Sequence, residues 1–272
     1  MTQIAGGIRR KNRVHLECLH RSTRGPFAAS EAAAILNMPL HRARRLVRYL
    51  ADRGWLDRVR RGVYVTVPLD AHRSGHRVED PWVVAATSFG RYYIAGWSAA
   101  EYWDLTEQIF RDILVVTSSR PRKRTVTMQG TVFRLRNSVQ KKHFGVTKVW
   151  RGSHRIFISD PSRTVVDVLS DPTMGGGIRH VGDILSEYLA TNHRDDELVI
   201  RYGDRLGNRT VFKRLGFLLE ALGLEAPSLV ESCLRRRSSG VTALDPSIDH
   251  RGRITSRWNL SINADITRGM DR

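Results

Sequence analysis

The sequence predicts an α+β protein. A winged helix-turn-helix over residues 1–78 is expected to precede a mixed α+β domain over residues 79–272, built on a small, mostly antiparallel sheet. Three observations predict it. Ala29–Pro68 reads as a short helix, a tight turn, an arginine-rich helix and a two-stranded wing. The middle of the chain alternates short β-branched runs with helices that open at Asp-Pro. The length of 272 residues exceeds what one winged helix needs. A further subdivision is expected near residue 191, where charged helices begin.

Residues 9–21 form the first expected helix, with Val14, Leu16, Cys18 and Leu19 supplying its apolar surface. SEAAAILNM is the second, with Ser30 as its N-cap. Pro39 fits the first turn of the third, where its missing N–H costs nothing. In that third helix Leu40, Ala43, Leu46, Val47 and Leu50 recur at helical spacing and make one apolar face. His41, Arg44, Arg45 and Arg48 fall on the opposite face. Such a helix packs on one side and offers hydrogen-bond donors on the other, as major-groove readout requires. Trp55–Arg58 and Val63–Val67 read as the wing strands, with Val59–Gly62 turning between them. The competing reading is an ordinary amphipathic helix with a solvated basic face. The order of the elements, with both exposed surfaces basic, favours DNA.

Residues 69–79 read as a linker. Asp80-Pro81 then opens a helix through PWVVAATSF. In the next segment Ser98 and Glu101 have the spacing of a capping box. Ile109 and Ile113–Thr117 suggest a strand, broken by the basic run Ser118–Thr125. Val126–Arg136, Phe144–Trp150 and Arg155–Ser159 add further strands. Asp160-Pro161 opens another helix that Pro172 ends, and Met174–Gly177 is a loop before helix VGDILSEYLAT. Further on, Val211, Leu215, Leu218, Leu219 and Leu222 form a buried helical stripe with Gly223 as C-cap. APSLVESCLRRR follows, and Arg257–Ile266 alternates as a strand docking back onto the body.

The net charge of +18 points to a polyanionic partner. Residues 1–78 hold 16 Lys+Arg against 5 Asp+Glu, residues 79–190 hold 15 against 11, and residues 191–272 hold 14 against 11. The excess thus concentrates at the winged helix. Arginine dominates, which suits planar recognition of phosphate and guanine. No run of apolar residues is long enough for a transmembrane helix, and MTQIAGGIRRKNR lacks the apolar core of a secretory signal. Cys18 and Cys233 are read as free buried thiols of a reducing cytoplasm. His72 and His76 lack neighbouring cysteines, so no metal site is expected there.

Candidate chemistry is sparse. Gly96-Trp97-Ser98 resembles a nucleophile elbow without its second glycine. Gly175–Gly177 could cradle a phosphate but lacks the lysine and hydroxyl residue of a P-loop, which favours an ordinary loop. Asp160, Asp167 and Asp171 are the carboxylates a metal-dependent nuclease would use. Asp160 is better read as an N-cap and Asp167 as a satisfied polar residue of an apolar helix. Arg120, Arg122, Lys123 and Arg124 form a second basic patch, a candidate contact for DNA, RNA or an acidic protein beside the default of a solvated loop.

The segments Gly54-Trp55-Leu56, Arg61-Gly62-Val63-Tyr64, Tyr92-Tyr93-Ile94, Trp97-Ser98-Ala99-Ala100-Glu101-Tyr102-Trp103 and Leu105 resemble the AbiEi family of antitoxins, of type IV toxin-antitoxin systems. Asp160-Pro161, Arg163-Thr164, Asp167, Leu169 and Lys213-Arg214-Leu215-Gly216 add to the resemblance, which runs to about residue 220. It implies an N-terminal winged helix paired with a C-terminal antitoxin domain. It also implies repression of the protein's own operon through promoter repeats, and opposition to a co-encoded nucleotidyltransferase-like toxin in phage defence. No cofactor, metal or catalytic residue is expected. By that resemblance the DNA contacts map onto the basic recognition face and wing, His41, Arg42, Arg44, Arg45, Arg48, Arg58, Arg60 and Arg61, and helical geometry sets the assignment within this set. Arg45 and Arg48 would reach base edges, while Arg58, Arg60 and Arg61 would hold phosphates or enter the minor groove. The rival readings are a winged-helix regulator with a ligand-sensing second domain, and a nucleic-acid-processing enzyme.

Overall fold

A computed structural model describes residues 10–23, 25–60, 62–67, 80–250 and 252–266. The expected linker with His72 and His76, and Arg61 in the wing turn, lie outside the described residues. The N-terminal part runs α1 (Arg10–Ser22), β1 (Phe27–Ala28), α2 (Ala29–Ile35), α3 (Leu40–Asp52), β2 (Leu56–Arg60) and β3 (Val63–Thr66). Its strands form an antiparallel sheet of order β1-β3-β2. Leu16, Leu19, Phe27, Ala32, Val47, Leu50, Leu56 and Tyr64 make its core.

The turn between α2 and α3 is closed by backbone. Asn37 sits at φ 44°, Met38 N–H donates to Ala33 O and Asn37 N–H to Ala34 O. Gly54, at φ 76°, ends α3 in the same way, with Trp55 N–H on Leu50 O and Gly54 N–H on Ala51 O. Both are helix ends in which a left-handed residue returns two amides to the last carbonyls.

Several local expectations shift. Ser30 does not cap α2, whose N-cap is Ala28, two residues earlier, with no side-chain cap. Ala28 pairs with Val63, and Ala29 N–H donates to Gly62 O, so the wing supplies a partner that a cap would otherwise give. Pro39 precedes α3 rather than lying within it. Val14 is 60% exposed, because only Leu16 and Leu19, three residues apart, share the core face of α1. Strand β2 runs on to Arg60 with a bulge between Arg58 and Arg60, so the turn is shorter than expected. Cys18 is only partly buried, whereas Cys233 is fully buried.

The larger sheet, of order β6-β7-β5-β4-β9-β8, is formed by β4 (Tyr92–Ile94), β5 (Ile113–Thr117), β6 (Thr125–Met128), β7 (Thr131–Asn137), β8 (Val146–Arg151) and β9 (His154–Ser159). Pairings β6·β7, β4·β5 and β8·β9 are antiparallel, while β5·β7 and β4·β9 are parallel. Gln129-Gly130, with φ 47° and 77°, turns β6 into β7.

The two faces of this sheet bury different partners. One face, through Tyr92, Ile94, Val115, Phe133, Leu135, Ile156 and Ile158, packs on α4 (Pro81–Ser88) and on Val59, Val63 and Val65 of the wing. Both faces of the wing are therefore covered, Leu56 and Tyr64 inward on the helices and the three valines outward on α4 and the sheet. That explains the unbroken apolar run Val63-Tyr64-Val65, since a strand buried on both sides loses its alternation.

The other face, through Tyr93, Leu114 and Val116, joins one apolar cluster that extends to Ile266. Its helices are α5 (Gly96–Tyr102), α6 (Pro161–Ser170), α7 (Ile178–Ala190), α8 (Asp196–Leu206), α9 (Thr210–Ala221) and α10 (Pro227–Arg236). A small sheet of order β10-β12-β11 closes the described chain, from β10 (Thr242–Ala243), β11 (Arg253–Thr255) and β12 (Leu260–Ile262).

Asp80 caps α4 by accepting from Trp82 N–H, and Asp160 caps α6 by accepting from Arg163 N–H. The capping box at Ser98 is not formed. The helix opens at Gly96, and Ser98 Oγ accepts instead from Leu114 N–H at 3.0 Å, tying α5 to β5, while Glu101 is exposed. Ile109 is 85% exposed and precedes β5 as coil. The C-terminal strand shrinks to Leu260–Ile262, and Trp258 is buried in the turn before it.

Candidate nucleic-acid interface

A concave groove of about 950 Å3 opens between α3 and the wing. His41, Arg44, Arg45 and Arg48 line it from α3, and Arg58, Gly62 and Tyr64 from the wing. One turn of α3 separates Arg44 from Arg48, so both guanidiniums face the same side. All five basic residues are exposed, and none of the four arginines pairs with a carboxylate among the described residues. Arg42 is exposed on α3 but does not line the groove. Arg60 is the last residue of β2. With no carboxylate paired to its arginines among the described residues, the groove can accept an extended polyanion.

Leu40, expected on the apolar face, is 39% exposed and lines the groove instead. It occupies the first residue of α3, beyond the cover of the preceding helix. Ser30, freed of the capping role, also lines it, as do Ala28, Ala29 and Tyr64. Apolar periodicity could not separate Leu40 from the core residues of α3.

The second basic patch lies at the β6–β7 edge of the large sheet. Arg120, Arg122 and Lys123 edge a separate cleft of about 550 Å3, whereas Arg124 is exposed outside it. The suspected nuclease carboxylates do not converge on a metal. Asp160 accepts from Arg163 N–H at 2.7 Å and from Tyr202 Oη–H at 2.8 Å. Asp171 accepts from Thr173 N–H and Oγ1–H. Asp167 is bound to Arg163. No cluster of three or more metal-ligating side chains occurs among the described residues.

The motif residues of the middle and C-terminal parts are scaffold. Arg163 Nε donates to Asp167 Oδ1 at 2.9 Å, Arg163 Nη2 to Tyr93 Oη at 3.2 Å, and Tyr93 Oη–H to Asp167 Oδ2 at 3.3 Å. Burial pushes both the Asp167 carboxyl and the Tyr93 phenol up from their usual ranges. The Arg163 guanidinium stacks 4.1 Å from the Phe144 ring centroid, which offsets part of its desolvation. Arg214 donates to the carbonyls of Leu244, Leu169, Ser170 and Ala243, and burial lowers its pKa to about 10. Lys213 is wholly buried and donates to Gly240 O, Thr242 Oγ1 and Asn259 O. Burial and the charges of Arg237 and Arg214 lower its pKa.

The Gly175–Gly177 segment is filled by the protein itself. The amide of Ile178, at the start of α7, donates to Asp245 Oδ2 at 2.8 Å, and Ser247 N–H donates to Asp245 Oδ1. A carboxylate at a helix N-terminus is favourably placed. Asp245 thus occupies the place that a phosphate would take at this helix start.

Residues 17–67 match a family model described as "Transcriptional regulator, AbiEi antitoxin". The match covers α3 and the wing, and so the whole described groove. The solved structure of the RV2827C protein from Mycobacterium tuberculosis is similar in fold, with a TM-score of 0.62, 16% identity, and coverage of 96% of this chain and 94% of that one. No curated protein matches the chain. No helix among the described residues is long and apolar enough to cross a membrane. The family that the sequence resembles is therefore the one its residues 17–67 match: transcriptional regulator, AbiEi antitoxin.

Proposed function

We propose that the protein is a cytoplasmic transcriptional autorepressor and antitoxin that grips double-stranded promoter DNA in the groove between α3 and the wing. The single observation that carries this reading is the convergence of His41, Arg44, Arg45, Arg48 and Arg58 on one groove, with no acidic partner among the described residues. Arg45 and Arg48 contact base edges, and Arg58, Arg60 and Arg61 contact phosphates. Arg42 flanks them. Residues 1–78 form the DNA-binding domain and residues 79–272 the antitoxin domain, which counters a co-encoded nucleotidyltransferase-like toxin. The protein performs no catalysis in this reading.

The test uses the full chain, because cutting at residue 78 would bare Val59, Val63 and Val65. Arg44→Glu/Arg45→Glu/Arg48→Glu is titrated against duplex DNA from upstream of its own reading frame, by fluorescence anisotropy. Loss of binding with an unchanged melting temperature is expected; undiminished binding refutes the groove. Co-expression of the same variant with the adjacent toxin then reads the second half. Retained rescue places antitoxicity outside the groove, and lost rescue overturns the division of labour.

A further inference from the structure

The cleft between the C-terminal end of α4 and the β6–β7 hairpin has a composition that the DNA reading does not use. Its floor is apolar, with Phe89, Val126, Met128 and Leu135. Its rim carries Arg120, Arg122 and Lys123, all exposed. No acidic residue among the described residues lines it, and none of the three cations forms an ion pair among them. Ser88 also lines it. That residue is 6% exposed, and its Oγ is buried without a hydrogen-bond partner.

A buried hydroxyl left unpaired costs stability, and a polar ligand group would satisfy it. At about 550 Å3 the cleft falls within the range of small-molecule sites, which combine an apolar lining with a few placed polar groups. A solvated cationic loop would need no apolar floor. A phosphate backbone would need neither the floor nor the hydroxyl.

We infer that this cleft binds a small amphipathic anion, an apolar ring or chain bearing one carboxylate, sulfonate or phosphate. The apolar body covers Phe89, Met128 and Leu135. The anionic head lies among Arg120, Arg122 and Lys123, and Ser88 supplies the polar handle. The site is distinct from the groove on α3 and does not depend on what that groove binds.

The experiment uses the full chain with anilinonaphthalene sulfonate as probe and its uncharged parent, N-phenylnaphthylamine, as control. Saturable binding of one sulfonate per chain is expected by fluorescence titration. Arg120→Ala/Arg122→Ala/Lys123→Ala should weaken the sulfonate about tenfold or more, as the loss of several partly exposed charge contacts implies. It should leave the uncharged parent nearly unchanged. Ser88→Ala should also weaken the sulfonate, without lowering the melting temperature, because the hydroxyl it removes has no partner to lose.

Equal sulfonate binding by the triple variant overturns the inference, as does non-saturable binding to the folded chain. A third overturning outcome is a triple variant that keeps the probe but loses affinity for duplex DNA, which would make the rim a nucleic-acid contact.

Discussion

Replacing Arg58 by alanine probes the groove where its physics is simplest. Arg58 stands exposed on β2, while its neighbours Leu56 and Val59 are buried on opposite faces of the wing. Its loss should therefore change stability by no more than about 0.5 kcal/mol. On a duplex of arbitrary sequence the interaction is chiefly counterion release, with log affinity falling against log salt by about 0.9 per neutralised phosphate. If Arg44, Arg45, Arg48 and Arg58 each neutralise one phosphate, they contribute a slope of about −3.6. Between roughly 50 and 200 mM salt they then account for about a 150-fold loss of affinity, of which Arg58 supplies about 3.5-fold. Arg58→Ala should flatten the slope by about 0.9, and the gap between variant and wild type should narrow by that factor as salt rises. Anisotropy titrations on a labelled non-operator duplex at several salt concentrations measure both quantities. An unchanged slope with unchanged affinity would refute the placement of phosphate between α3 and the wing.

Three further outcomes are expected. Asp167→Ala strands the buried Arg163 charge and should cost about 3–5 kcal/mol, whereas the paired replacement Arg163→Met/Asp167→Leu should recover much of that in urea melts. If the single and paired variants are equally unstable, the ion pair is not the cause. Gly216→Ala puts a Cβ 2.0 Å from the Trp258 ring and should cost about 1–3 kcal/mol through overpacking, seen as a lower melting temperature. A neutral result there would mean that Trp258 can leave its seat freely. The hydrogen bonds that Asp245 accepts from Ser247 and Ile178 hold its carboxyl below the usual value of about 3.8, despite its burial. A carboxyl depressed in the folded state stabilises above its unfolded pKa, and that contribution is lost as pH falls through the folded one. Wild type should therefore lose more stability than Asp245→Asn between about pH 5 and 3; parallel loss in urea unfolding would show that Asp245 contributes nothing.

The groove was legible in the sequence because helical periodicity alone places His41, Arg44, Arg45 and Arg48 opposite Ala43, Val47 and Leu50. Helices that open at Asp-Pro were legible for a similarly local reason: the cap and the fixed proline φ act within three residues. What failed was decided at a distance. Ser98 and Glu101 have capping-box spacing, yet Leu114 N–H, sixteen residues away, holds the serine hydroxyl. Asp245 reaches the start of α7 across 67 residues, so nothing near Gly177 announces it. The cleft was legible only as its charged rim. Phe89, Met128 and Leu135 come from separate elements that meet only when the sheet forms.

The wing is closed on both faces, and this restricts more than its own stability. Because Val59, Val63 and Val65 are packed against α4 and the large sheet, the wing has no independent swivel. A duplex seated beside it takes a fixed bearing on the six-stranded sheet. Copies of the protein on successive repeats would then project their larger units at an azimuth set by the repeat length. Repeats spaced by whole turns, roughly 10–10.5 base pairs each, would stack those units along one side of the duplex. Half-turn spacing would alternate them. If the proposed promoter repeats are its operator, their phase, read from footprints, would thus report the packing of three valines.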